Sequence, residues 1–138
     1  MKKIIFFIAI ISISIFAFAC SSGTNSNVKT VKTGTVNNLT VTIATAGGTI
    51  KSGANDFTLS FTDASGKPVD VGAASVNFFM PAMGSMSAMN DAVTLTTTGT
   101  PGVYNGTVKL QMAGEWQMQI AYEGAAGQGK VSLPVTAQ

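Results

Sequence analysis

The sequence Glu115-Trp-Gln-Met-Gln-Ile-Ala-Tyr122 alternates large apolar residues with mostly polar ones. In an extended chain the apolar residues would all point to one side and the others to the opposite side. This two-residue period predicts a β-strand with one buried and one exposed face. We therefore expect Trp116 to be the central aromatic residue of a core formed between strands.

Six further segments have the same period and are enriched in β-branched and aromatic residues. They are 39–43, 57–61, 76–80, 93–95, 104–110 and 131–135. Turn-forming residues separate them, and no segment has a sustained helical period. The sequence thus predicts an all-β fold, an immunoglobulin-like β-sandwich of about seven strands spanning residues 39–138.

Several residues in these segments have expected structural roles. Pro134 lies inside the last segment, which we therefore expect at a sheet edge or at a bulge. Tyr104 is expected to pack inward and to form a hydrogen bond with the backbone at a corner. Met112 and Met118 are in phase with Trp116, so we expect them to pack in the core.

The N-terminus has the organisation of a bacterial export signal. Lys2 and Lys3 precede an apolar run over residues 4–19, which is short for a membrane span. The run ends Ala17-Phe-Ala-Cys20 and resembles a lipobox, although Leu is commoner at the position of Ala17. We predict a lipoprotein signal peptide over residues 1–19 and lipidation of Cys20. An ordinary cleaved signal peptide and an uncleaved anchor are the alternatives.

Residues 20–38 are rich in Ser, Thr, Asn, Gly and Lys, which predicts a flexible tether between the lipid and the folded domain. The protein would then be extracytoplasmic and attached to a bacterial membrane through its lipid anchor. Ser21 rather than Asp follows Cys20. In a bacterium with two membranes, this favours the outer membrane, with the domain facing the periplasm.

The charges and reactive residues exclude several classes of function. All eight basic residues are lysines, and without Lys2 and Lys3 six lysines balance six acidic residues. This balance argues against nucleic acid as a partner, since nucleic-acid binding needs a basic surface. The chain contains no histidine and a single cysteine, which is assigned to the lipid. We therefore expect no enzymatic activity.

A methionine recurs at every third position in Met80-Pro-Ala-Met-Gly-Ser-Met-Ser-Ala-Met89. Thioether sulfur is a soft, uncharged ligand that prefers Cu(I) or Ag(I) to hard divalent ions. Pro81 and Gly84 disfavour a regular strand or helix, so a loop is predicted here. Without histidine, a Cu(II) site is disfavoured. The predicted metal ligands are Met80, Met83, Met86 and Met89.

These methionines also have roles that need no metal. Met80 continues the apolar face of its strand and is as suited to core packing as to binding an ion. The other three could fill the open end of the sandwich. They could also form an adaptable surface that docks a membrane protein partner.

Residues 76–135 resemble the YtkA-like domain, which is related to the FixH-like family. The matching pieces are Met80-Pro-Ala-Met-Gly84, Gly102-Val-Tyr-Asn-Gly106 and Gly114-Glu-Trp116. The resemblance implies an immunoglobulin-like sandwich on the outer side of a bacterial membrane. It also implies a role in copper or heavy-metal handling, with metal-efflux or oxidase-assembly proteins as partners. The biochemical role of these domains is poorly defined, so the resemblance implies no specific activity.

Overall fold

The computed structural model describes residues 27–138, and these residues contain nine β-strands. In chain order the strands are β1 (Lys29–Val36), β2 (Leu39–Thr45), β3 (Gly53–Thr62), β4 (Ala73–Met80), β5 (Met89–Ala92), β6 (Thr94–Thr97), β7 (Val103–Leu110), β8 (Gly114–Gly124) and β9 (Gly127–Ala137). They form a five-stranded sheet, β1-β2-β3-β7-β6, and a four-stranded sheet, β5-β4-β8-β9. All strand pairs are antiparallel. The predicted all-β sandwich is confirmed, with about two strands more than expected.

No helix within the described range is long and apolar enough to span a membrane.

Strand β1 lies in the segment that we assigned to the tether. It pairs with β2 from Lys29 opposite Thr45 to Val36 opposite Leu39, and Val36 is buried. The assignment of residues 29–38 to a flexible tether is therefore wrong, and the folded part begins about ten residues earlier than predicted. The threonines give this segment a high β-propensity, but it has too few apolar residues to show the alternation that predicts a strand. The predicted signal peptide, Cys20 and the predicted tether up to residue 26 lie outside the described range.

The core lies between the inner faces of the two sheets, and Trp116 on β8 is fully buried in it. Its indole N–H donates a hydrogen bond to the carbonyl oxygen of Met112 at 3.2 Å. Met118 is also fully buried and lies opposite Phe78 of the neighbouring β4. The ring of Phe78 contacts Phe57 of the other sheet edge-on, with centroids 6.2 Å apart. The predicted central position of Trp116 is confirmed.

A second aromatic group occupies the other half of the core. Phe61 packs edge-on against Tyr104 and Tyr122, at centroid distances of 6.1 and 5.5 Å. The hydroxyl of Tyr104 donates to the carbonyl oxygen of Gly72 at 2.7 Å, as predicted for a corner tyrosine. Burial raises the pKa of Tyr104, which keeps this hydroxyl protonated and able to donate. The hydroxyl oxygen of Tyr122 accepts from the Asn37 side chain at 2.9 Å.

Strand β9 forms an edge of the four-stranded sheet, as Pro134 predicted. Pro134 lies opposite Gln117, and the pairing of β9 with β8 continues without a break from Gly114 to Gly124. The edge position, rather than a bulge, therefore accommodates the missing N–H. Gly34 of β1, on the other sheet, lies very close to Leu133 of β9. A Cβ atom added to Gly34 would be only 2.5 Å from a methyl carbon of Leu133. The two edge strands thus pack against each other.

The chain passes from one sheet to the other between β5 and β6. Strand β5 pairs with β4, whereas β6 begins two residues later and pairs with β7. Val93 at the crossing donates its N–H to the carbonyl oxygen of Val76 at 3.1 Å. This crossing holds β5 beside β4 and so fixes the base of the methionine segment that joins them.

Replacing Trp116 with Ala should cost about 3–5 kcal/mol of unfolding free energy, because it leaves a large cavity in the core. That is a large share of the roughly 5–15 kcal/mol that stabilises a domain. Glu115→Lys is the matched control, since Glu115 is on the same strand but exposed. Denaturant titration should show a large loss for the first variant and a small one for the second. Equal losses would contradict the assigned facing of β8.

Candidate functional site

The methionine segment forms a tight hairpin between β4 and β5. Met80 lies opposite Met89 in the sheet, and Met83 lies opposite Met86 nearer the tip. The N–H of Met83 donates to the Met86 carbonyl oxygen at 3.1 Å, and the N–H of Met86 donates to the Met83 carbonyl oxygen at 2.9 Å. We call residues 80–89 the methionine hairpin.

A two-residue turn closes the tip of the methionine hairpin. Gly84 is its first central residue and has a φ of 56°, whereas Ser85 does not have a positive φ. These are the features of a type II′ turn, which suits the twist of antiparallel strands. Residues 81–82 and 87–88 are outside the strands, so the ladder is interrupted next to Pro81. The predicted loop is thus a compact turn with a defined register.

Met83 and Met86 are the exposed pair of the hairpin, with 55% and 38% of their surface accessible. Residues that face each other across an antiparallel pair project their side chains to the same face. The residues between and beside them are Ala, Gly and Ser, and all of residues 81–88 are exposed. The tip therefore presents two neighbouring thioethers to solvent.

Met80 and Met89 form a second facing pair, which belongs to the core. Met80 is only 1% exposed. Its methyl group packs against Gly114, where an added Cβ atom would lie 3.1 Å from it. Met89 is half-buried and packs against the core cluster. Of the four predicted ligands, the structure thus places two at the surface and two against the sandwich.

The two pairs are separated along the hairpin. Two residues lie between the pairs on each strand, so the pairs are three positions apart, which corresponds to about 10 Å of extended chain. Facing pairs that are an odd number of positions apart project to opposite sides of a regular hairpin, in agreement with the observed burial. The hairpin therefore does not bring all four methionines around one point.

Contacts from the β7–β8 loop support the base of the hairpin. Asp91 on β5 accepts two hydrogen bonds from Gln111, one from its backbone N–H at 3.2 Å and one from its side-chain amide at 2.9 Å. The next residue, Met112, is half-buried and accepts the hydrogen bond from Trp116. The hairpin base is thus linked through one short loop to the centre of the core.

The start of β1 lies at the same end of the sandwich as the methionine hairpin. Lys29 pairs with Thr45 at the end of β2. The side chain of Lys29 packs against Gly48 in the loop that follows β2. That end also carries the β7–β8 loop, since Gly53 at the start of β3 pairs with Leu110. We call this the hairpin end. The chain leading to Cys20 therefore leaves the domain at the hairpin end.

Other ligands for an ion are scarce near the hairpin tip. Residues 81–88 include no charged side chain. In the part of the chain from residue 27 onward, no group of three or more His, Cys, Asp or Glu residues is arranged to hold a metal ion. The side chains of the tip that suit a soft ion are therefore the two thioethers, since the hydroxyls of Ser85 and Ser87 are hard oxygen ligands.

A surface depression of about 510 Å³ lies at the opposite end of β4 from the hairpin. It is on the outer face of the four-stranded sheet, where Ala73, Ser75 and Ala121 leave room between Glu123 and Lys130. It was not among the sites predicted from the sequence. Its only signal is the run of small residues at outward positions of adjacent strands. The two opposite charges at its rim do not define a ligand.

Comparison with known families supports the resemblance noted from the sequence. The YtkA-like family model matches residues 33–121, which include the methionine hairpin and Trp116. The chain belongs to the YtkA-like family. The comparisons with curated proteins and with solved structures gave no match. The match thus includes the second half of β1, which lies in the segment predicted to be a tether.

Hydrogen peroxide should oxidise the methionines in the order of their exposure. We expect Met83 and Met86 to become sulfoxides first, and the buried Met80 and Met118 last, because oxidation needs access to sulfur. Peptide mass spectrometry over a time course measures each residue separately. In denaturant all four should react at similar rates, which provides the control. Early oxidation of Met80 in the folded protein would contradict the described hairpin.

Proposed function

We propose that the protein is a membrane-anchored, extracytoplasmic module that binds Cu(I) or Ag(I) through the methionine hairpin. Its role would be in metal handling, efflux or oxidase assembly. The observation that carries this proposal is the facing, exposed pair Met83 and Met86 at a tight, uncharged turn. A fixed backbone pairing lets two flexible side chains converge on one ion at little entropic cost.

The chemistry of the pair supports a soft monovalent ion. Thioether sulfur prefers Cu(I) and Ag(I), whereas Zn(II) and Cu(II) favour imidazole or anionic ligands. The chain has no histidine, and the tip has no charged residue. Because a thioether has no proton to release, ion binding should vary little with pH. A binding role rather than catalysis is proposed on the same grounds.

Membership of the YtkA-like family supports the cellular setting of the proposal. The resemblance implies proteins of metal efflux or oxidase assembly as partners, and the membrane itself through the lipid on Cys20. Without Lys2 and Lys3, six lysines balance six acidic residues, which supports partners other than nucleic acid. With β1 beginning at Lys29, only residues 20–28 separate the lipid from the domain. Fully extended, they span about 30 Å at most.

A second candidate function uses the same surface without a metal. Met83 and Met86 are large, adaptable and exposed, and methionine-rich surfaces of this kind also bind proteins. The hairpin would then dock a membrane protein partner as a structural element. Metal titration separates the two candidates.

The native protein should bind Ag(I), and the double variant Met83→Leu/Met86→Leu should not. Leu keeps the volume and apolarity but has no sulfur, so each swap should cost under about 1.5 kcal/mol of stability. Isothermal titration at pH 6 and pH 8 should give similar affinities for the native protein. The control is Met118→Leu, which removes a buried sulfur. Retained binding by the double variant, or none by the native protein, would favour the docking function.

Mass spectrometry of membrane-extracted protein should find a diacylated or triacylated peptide that begins at Cys20. This follows from the charged start, the apolar run and the Ala19-Cys20 junction. Cys20→Ser should abolish lipid attachment and leave the melting temperature unchanged, because residue 20 precedes β1. A dominant peptide that spans Ala19 and Cys20 would rule out this anchor.

A further inference from the structure

We infer that the methionine hairpin is an open, two-sulfur transfer site that faces the membrane. In this inference Met83 and Met86 alone hold the ion, and a cysteine thiolate of a membrane-embedded partner completes its coordination. The inference rests on the proposed function and adds the ligand number, the direction of the site and the chemistry of the partner.

The register of the hairpin limits the number of sulfurs. Met80 and Met89 are three positions along the chain from the exposed pair, Met83 and Met86, which corresponds to about 10 Å in an extended strand. Met80 is fixed in the core against Gly114, so its sulfur is not free to reach the tip. Bringing the pairs together would break the two backbone hydrogen bonds that join Met83 and Met86. One ion at the tip therefore has two thioether ligands from this hairpin.

The surroundings of the tip leave the ion accessible. Ala82, Ser87 and Ala88 are small and exposed, as are the two turn residues. A soft monovalent ion held by two neutral thioethers keeps room for a further soft ligand. The tip has no acidic residue to repel an incoming thiolate. A thiolate can therefore approach the ion directly.

The direction of the site follows from where the chain leaves the domain. β1 begins at the hairpin end, so the segment that leads to Cys20 leaves from the same end of the sandwich as the hairpin, although from its opposite edge, where β1 packs against β9. A lipid on Cys20 would thus hold Lys29, at this end of the sandwich, within about 30 Å of the bilayer surface. The opposite end, with the depression beside Glu123, would face away. A partner that receives the ion is therefore expected in the membrane.

The transfer is a ligand exchange without oxidation or reduction. The thiolate sulfur forms a bond to the ion, and then the bonds to Met83 and Met86 break in turn. If the partner begins as a thiol, its proton goes to solvent and the ion keeps its single charge. An anionic thiolate binds a soft cation more tightly than neutral thioethers do, so the ion moves from the hairpin to the partner.

X-ray absorption on the silver-loaded, full-length protein in detergent tests the number of sulfurs. We expect two sulfur neighbours, and we expect Met80→Leu and Met89→Leu to leave Ag(I) affinity unchanged. A shell of three or four protein sulfurs, or loss of binding in Met89→Leu, would overturn the two-sulfur site. Absence of silver binding by the native protein would instead overturn the proposed function itself.

Vesicles that contain the lipidated protein and a lipid with a thiol headgroup test the direction. We expect Ag(I) to pass to thiols in the same vesicle at a rate that vesicle dilution does not change. The absorbance of the silver–thiolate product reports this rate. Thiol lipids placed in separate vesicles should receive the ion far more slowly. Equal rates for the two arrangements would overturn the membrane-facing site, since the ion would then travel free in solution.

Discussion

Apolar contact between the two sheets is the interaction on which the rest of this structure depends. The only cysteine precedes the described residues, so no disulfide joins the sheets of the sandwich. Trp116 is fully buried at the contact, and its indole N–H fixes the loop that carries Met112. That loop in turn holds β5 through Gln111 and Asp91. The position of the methionine hairpin is therefore set by the core and not by the hairpin alone.

The spacing of the methionines does not match the alternation of side chains in a strand, and this mismatch explains why some of them are buried and others exposed. Side chains in a strand alternate with a period of two, but these methionines recur with a period of three. Consecutive facing pairs must then point to opposite sides. The pair nearer the sheet, Met80 and Met89, points towards the apolar core. Met80 becomes a core residue, and Met83 with Met86 is left at the surface. A period of two or four would have placed all of them on one side.

The strands with strict alternation were predictable from sequence because their burial follows directly from their period, as in β8. β1 was missed because its outward threonines outnumber its buried residues, and β5 because four residues, Met89–Ala92, are too few to display a period. The facing of Met83 and Met86 was partly encoded in the turn Gly84-Ser85, but Pro81 argued for a loop. The hairpin and the start of β1 lie at the same end of the sandwich because of long-range strand pairing. Local sequence patterns contain no information on such pairing.

The division of the methionines also bears on which of the two functions fits better. A storage site gains from many ligands and from burial, because both slow the release of the ion. In the hairpin, Met80 instead packs in the core, and the two neutral thioethers of Met83 and Met86 are exposed among small residues. If it binds an ion as proposed, such a site would favour exchange over retention. A docking surface would gain affinity from a broad apolar patch, yet the exposed large apolar side chains of residues 27–138 are only Val28, Met83 and Met86. Two thioethers form a small contact surface for a protein but a sufficient one for a single ion, which is why the metal-binding function is the better supported of the two.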